Sequence, residues 1–188
     1  MKKLEDFNAE ERVSVRLLEN HVHFLIGEIC EENVNEAIRW ITFENLEQKS
    51  GKILTLYINS FGGDLHQAFA LIDIMRVSKY PVRTIGIGTI MSAAFLIFAS
   101  GSQGERYIAQ NTGIMCHQFS ESTEGKYHDI RAALKESENA NAKMVEILRA
   151  ATGLTVAKVK SKLLPASDVY LTAEDLVELK VADHILGT

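Results

Sequence analysis

The chain has 188 residues, 46% of them hydrophobic and 24% charged, enough apolar material to bury one core without disulfide or metal staples. A net charge of −5, with no dense Lys/Arg cluster, excludes a broad nucleic-acid footprint. Cys30 and Cys116 stand far apart and form no metal-type pair, so they read as reduced core thiols of a cytosol-like compartment.

In chain order, the polar residues 1–12 read as a flexible segment, and Met1 to Asp6 lack the apolar stretch of a secretory signal. Residues 21–27 predict a strand. Residues 31–48 predict a helix with Val34, Ala37, Ile38, Ile41 and Leu46 on one face. The β-branched and aromatic run 53–59 predicts a buried strand that stops at Gly62-Gly63. Behind it, Leu65, Ala68, Phe69, Ile72 and Met75 fall in register for a helix over 64–78. Residues 82–88 predict a third strand and 92–100 a short buried helix. The whole stretch 84–104 lacks charge, but its glycines and serines and its unanchored ends fit a strand, a turn and a helix better than a membrane span.

Residues 107–108 and 113–116 read as short strands. A long, highly charged helix follows over about 124–151, with apolar positions Ile130, Leu134, Met144 and Leu148 widely spaced. A helix this polar projects from the body or packs against another subunit. Shorter helices are expected over 155–164 and 172–179. Strands alternating with helices predict an α/β fold with right-handed crossovers, and no repeat or linker divides residues 1–188 into more than one domain.

Two strand-to-turn junctions carry residues capable of chemistry. Gly62-Gly63 opens a helix and can present backbone N–H groups to an oxyanion. Ser92, after an apolar strand and at a helix start, has a place suited to a nucleophile, although most serines so placed are N-caps. His117 ends the strand 113–116 and can move a proton near neutrality, but the chain holds six histidines and any one of them is a weak signal. His21 and His23 alternate on a strand without a third ligand nearby, so no metal site is expected. Asp168, in the irregular segment 165–171, could orient a histidine or could be a surface turn residue. Taken singly, each of the three reads as structural.

Their order changes that reading, because several motifs resemble the proteolytic subunit of the Clp protease family over most of the chain. Ile58-Asn59-Ser60-Phe61-Gly62-Gly63 is similar to the family's Ile-Asn-Ser-Pro-Gly-Gly, and the segment Gly88 to Gly101 aligns with its nucleophile region without a gap. Met115-Cys116-His117-Gln118 resembles Met-Ile-His-Gln, and Asp168-Val169-Tyr170-Leu171-Thr172-Ala173 resembles Asp-Arg-Phe-Leu-Ser-Ala. Phe61, Ala94 and Phe119 depart from the family's proline, glycine and proline, which marks a divergent member such as a phage or organellar form.

The resemblance implies a crotonase-like α/β fold of stacked βαβ units, with the helix over 124–151 as a projecting handle that interleaves two rings of subunits. It implies Ser92 as nucleophile, His117 as general base and acid, Asp168 as the group that holds the imidazole, and the N–H groups of Gly63 and Ala93 as oxyanion hole. The implied function is a cytoplasmic serine endopeptidase that cleaves unfolded polypeptides inside two stacked heptameric rings. No phosphate-binding Gly-x-x-x-x-Gly-Lys-Ser/Thr loop is present, so the energy would come from a separate AAA+ unfoldase ring, with no cofactor, nucleic acid or membrane involved. A catalytically silent ring subunit is one alternative. An acyl-CoA enzyme of the crotonase type is a weaker one, since such enzymes work with Glu or Asp beside the oxyanion site rather than Ser and His.

Overall fold

The computed structural model describes residues 8–46, 50–120 and 123–187. The first element, α1 (Ala9–Glu19), is a helix where the sequence predicts a loose segment through residue 12. Its cause is a reciprocal capping box. The Asn8 side chain accepts from the Glu11 N–H at 2.9 Å, and the Glu11 carboxylate accepts from the Asn8 N–H at 2.9 Å. Residues 1–7 of the predicted flexible segment lie outside the described residues.

The next elements follow the predicted order closely. They are β1 (Val22–Ile26), α2 (Glu31–Leu46), β2 (Leu54–Ser60), α3 (Leu65–Val77), β3 (Val82–Met91) and α4 (Ala93–Ala99). The periodicities explain them: β2 buries Leu54, Leu56, Ile58 and Ser60 on one face, while α3 buries Leu65, Ala68, Leu71, Ile72 and Met75. Every residue of α4 is buried, which accounts for the uncharged stretch over 84–104. Among the described residues no helix is long and apolar enough to cross a membrane.

Strands β1, β2 and β3 pair in parallel in that order, followed by β4 (Arg106–Ile108). The long strand β3 serves two neighbours. Thr84 to Gly86 pair with β4, and Thr89 to Met91 pair with β5 (Gly113–Cys116). The switch coincides with a register shift against β2 between Ile58 and Ser60, and the Asn59 side chain bridges it by accepting from the Thr89 N–H and hydroxyl, both at 3.0 Å. One strand thereby feeds two segments of sheet, and its end at Met91 stands between the ends of β2 and β5.

Helix α5 (Tyr127–Thr152) runs 26 residues, starting three residues later than predicted. Only its C-terminal half is anchored, through Ala140, Met144, Val145, Ile147, Leu148 and Thr152, whereas Tyr127, Ile130 and Leu134 are exposed. The chain closes through α6 (Val156–Lys162), β6 (Val169–Leu171), α7 (Ala173–Glu178) and β7 (His184–Ile185). Strand β6 pairs antiparallel with β5 and β7 pairs parallel with β4. The fold is therefore α/β with a mostly parallel sheet, as the sequence predicts.

At its far end the sheet is locked by Arg106, buried to 3% exposure. Its guanidinium donates to both Asp183 carboxylate oxygens, at 2.8 and 2.6 Å, and to the Ala151 carbonyl at the end of α5 at 2.9 Å. Burial raises the Asp183 pKa, but the hydrogen bonds and charge of Arg106 outweigh it and hold the carboxyl below its ordinary value.

Candidate active site

Strand order brings the candidate residues together. Ser60 pairs with Ile90, and Met91 pairs with Met115, so the C-terminal ends of β2, β3 and β5 lie side by side. Ser92 and His117 come immediately after β3 and β5, and Gly62-Gly63 follows the end of β2 after Phe61. In a parallel sheet this is the edge where chain reversals leave a crevice.

Ser92 is not a capping serine. It occupies the N-cap position of α4, yet its side chain caps no helix N–H and its backbone lies at φ 52 and ψ −121, outside the usual range for a residue bearing a Cβ. Two bonds hold the turn: the Ser92 N–H donates to the Met115 carbonyl at 3.0 Å, and the Phe95 N–H donates to the Ser92 carbonyl at 3.0 Å. The first ties Ser92 to the end of β5 and so to His117. The hydroxyl, free of capping duty, lies 2.8 Å from His117 Nε2.

The glycine pair packs against this turn. Gly62 has φ 102 and is buried, and a Cβ there would stand 2.7 Å from Ser92 Cβ and 2.9 Å from the Met91 carbonyl oxygen. Gly63, at φ 146, forms a parallel bridge with Ile29, and a Cβ there would run into the Ile29 carbonyl. In that bridge the Ile29 N–H donates to the Gly62 carbonyl and the Asp64 N–H donates to the Ile29 carbonyl, both at 2.8 Å. The N–H of Gly63 itself takes no part in the bridge. Ala93 is the first residue of α4, whose opening N–H groups have no carbonyl one turn back.

Asp168 stands apart from this group. It is exposed, directly ahead of β6, and among the described residues it makes no hydrogen bond or ion pair with His117. Its place in the ladder is nevertheless specific. The antiparallel register matches Ile114 with Leu171 and Cys116 with Val169, so one further step sets Asp168 across from His117. Sequence reasoning missed β6 itself, and with it the pairing whose register sets Asp168 opposite His117.

Ser92, His117, Gly63 and Ala93 line a cleft of about 230 Å³, together with Phe61, Leu65, Met115, Phe119 and Met144. The neighbouring Cys116 is no rival nucleophile, since burial pushes its thiol up to about 12. His21 and His23 serve the core instead: His21 Nδ1 lies 2.9 Å from Glu44 Oε2, and His23 stacks on Trp40 at 5.2 Å between centroids. Among the described residues, no group of three or more His, Cys, Asp or Glu is arranged to hold a metal ion.

A hydroxyl and an imidazole nitrogen at hydrogen-bond distance, beside backbone N–H groups and an apolar recess, can carry out acyl transfer. Compared with known protein families, residues 7–188 match the model described as Clp protease.

Proposed function

The chain belongs to the Clp protease family, and from that premise we propose that it is a serine endopeptidase subunit acting through Ser92, His117 and Asp168. The Ser92 hydroxyl attacks the scissile carbonyl carbon while His117 Nε2 takes the hydroxyl proton. The carbonyl oxygen becomes an oxyanion facing the N–H groups of Gly63 and Ala93, each such donor being worth roughly 10²–10³ in rate. Collapse breaks the C–N bond, and the proton on His117 goes to the leaving amine. Water then attacks the Ser92 ester, passing its proton to the same imidazole, and the acid product leaves with Ser92 restored.

The single observation that carries this reading is the Ser92 hydroxyl at 2.8 Å from His117 Nε2, on a residue whose backbone and side chain decline the capping role. In this reading Asp168, set opposite His117 by the β5–β6 register, completes the triad by accepting from His117 Nδ1. The finer picture is a homo-oligomer of two stacked heptameric rings, fed by an AAA+ unfoldase and degrading unfolded polypeptides in an enclosed chamber. Support for assembly comes from the unanchored, partly apolar half of α5.

The exposed Asp168 favours one second reading, a ring subunit that is silent in catalysis. A serine-directed fluorophosphonate separates the two. Labelling confined to Ser92, absent in Ser92→Ala and slowed at least tenfold in Asp168→Asn, is the expected result. Intact rings without any labelling would support the silent subunit.

A further inference from the structure

The peptide between Gly62 and Gly63 is gripped from outside the cleft. Its carbonyl accepts from the Ile29 N–H at 2.8 Å, and the bond is trans. In a planar trans peptide the N–H points opposite to the C=O, so the Gly63 N–H points away from Ile29. On either side, the Gly62 N–H donates to the Ser60 hydroxyl at 3.0 Å and the Asp64 N–H donates to the Ile29 carbonyl at 2.8 Å. Neither Ser60 nor Ile29 lines the cleft, although Gly63 does.

Ile29 belongs to the loop 27–30 that joins β1 to α2, and Asn33 in the first turn of α2 moulds that loop. Asn33 Nδ2 donates to the Glu28 carbonyl at 2.6 Å and to the Ile26 carbonyl at 3.3 Å, while Oδ1 accepts from the Cys30 N–H at 3.1 Å. Turning the amide over would set its oxygen against two carbonyls, so only this orientation matches donors with acceptors. The residues on both sides of Ile29 are thereby fixed, and Ile29 itself is buried. The bond to Cys30 is an ordinary helix cap, a third-position side chain reaching back to the residue ahead of the helix. A cap has no use for the two bonds from Nδ2.

We propose that Asn33 is a positioning residue for acyl transfer: its amide N–H groups hold Ile29 so that the Gly63 N–H is aimed at the oxygen of the scissile carbonyl. This inference rests on the peptidase reading of the cleft. An oxyanion donor acts on charge that develops only in the transition state, so its alignment governs kcat and hardly touches substrate binding. Asn33 reaches the reacting atoms only through the Ile29 backbone and touches no substrate.

The test uses the full-length protein, a fluorogenic peptide amide and a peptide boronate, whose tetrahedral adduct with Ser92 sets an oxygen before the same N–H groups. Asn33→Asp keeps the oxygen that accepts from Cys30, and a carboxylate suits a helix N-terminus, so the cap survives. It sets an oxygen in place of Nδ2 against the Glu28 and Ile26 carbonyls. In this variant kcat should fall about tenfold with KM unchanged within about twofold, part of the roughly 10²–10³ that loss of a whole donor costs. The Ki of the boronate should rise about tenfold as well. Asn33→Ala, which removes the cap too, should show the same loss in kcat while unfolding at lower urea than Asn33→Asp. Wild-type kcat and boronate affinity in Asn33→Asp would mean that Asn33 only caps α2, and would overturn the proposal while leaving the peptidase reading intact. A loss carried by KM overturns it equally. Undiminished cleavage by Ser92→Ala, or no cleavage by the wild type, overturns both.

Discussion

Ser92 adopts φ 52 only because its surroundings leave no alternative: Met115 holds its N–H, α4 begins immediately after it, and Gly62 fills the space behind its Cβ. Gly62→Ala tests that account. A methyl group there meets Ser92 Cβ and the Met91 carbonyl, on a backbone at φ 102 that alanine rarely adopts. The folded state should lose about 1–3 kcal/mol. Displacing the hydroxyl by about 1 Å should slow fluorophosphonate labelling on the order of 100-fold. Labelling at the wild-type rate in a folded Gly62→Ala would show that the turn tolerates the methyl and that Gly62 does not set the serine's position. In the sequence Ser92 has the spacing of an N-cap, and no local pattern separates a cap from a nucleophile. Order along the chain supplies the distinction through resemblance, and the geometry supplies it through a backbone angle and a neighbour 25 residues away.

Elements with a strong internal period are legible without any structure. The runs that become β2 and α3 alternate or repeat clearly enough to place them within a residue or two. Helix α1 escapes because its apolar side chains are never buried, so its signal lies in the Asn8–Glu11 cap rather than in a hydrophobic face. Strands β6 and β7, of three and two residues, exist only through their partners β5 and β4. The long-range pairing that fixes β7 includes the Arg106–Asp183 contact, and its pH dependence has a definite sign. Asp183 has a lowered pKa in the folded chain, so its contribution is fully present above the unfolded carboxylate value of about 3.9. It is lost as pH falls from there through the folded value. Asp183→Asn should cost about 3 kcal/mol at neutral pH, because it leaves the buried guanidinium without its counter-charge. The gap from the wild type, measured by urea unfolding, should narrow as pH falls from 5 towards 3. A gap that stays constant across that window would mean the pair contributes by shape and not by charge.

At the scale of the whole molecule, α5 is two helices in one. Its C-terminal half is packed into the core, while the half before Ala140 stands in solvent with Tyr127, Ile130 and Leu134 at 67%, 45% and 60% exposure. Those three residues are spaced i, i+3, i+7 and so share one face. About thirteen residues of helix are marginal in water on their own, so a projecting half with an apolar stripe is best stabilised by a neighbouring subunit. The stripe is short and the rest of the surface is charged, which favours helix-to-helix contact between copies over burial of a broad sheet face. If that contact joins two rings, Ile130→Ser with Leu134→Ser should shift the sedimentation coefficient from the stacked particle to one about half its mass. The subunit's own stability should change by less than about 0.5 kcal/mol, because both side chains are already exposed in the isolated chain. Cleavage of unfolded polypeptides should fall with the particle, since a chamber open on one side neither encloses its substrate nor holds the second set of sites against it. An unchanged sedimentation coefficient in the double variant would show that the stripe does not join copies of this chain.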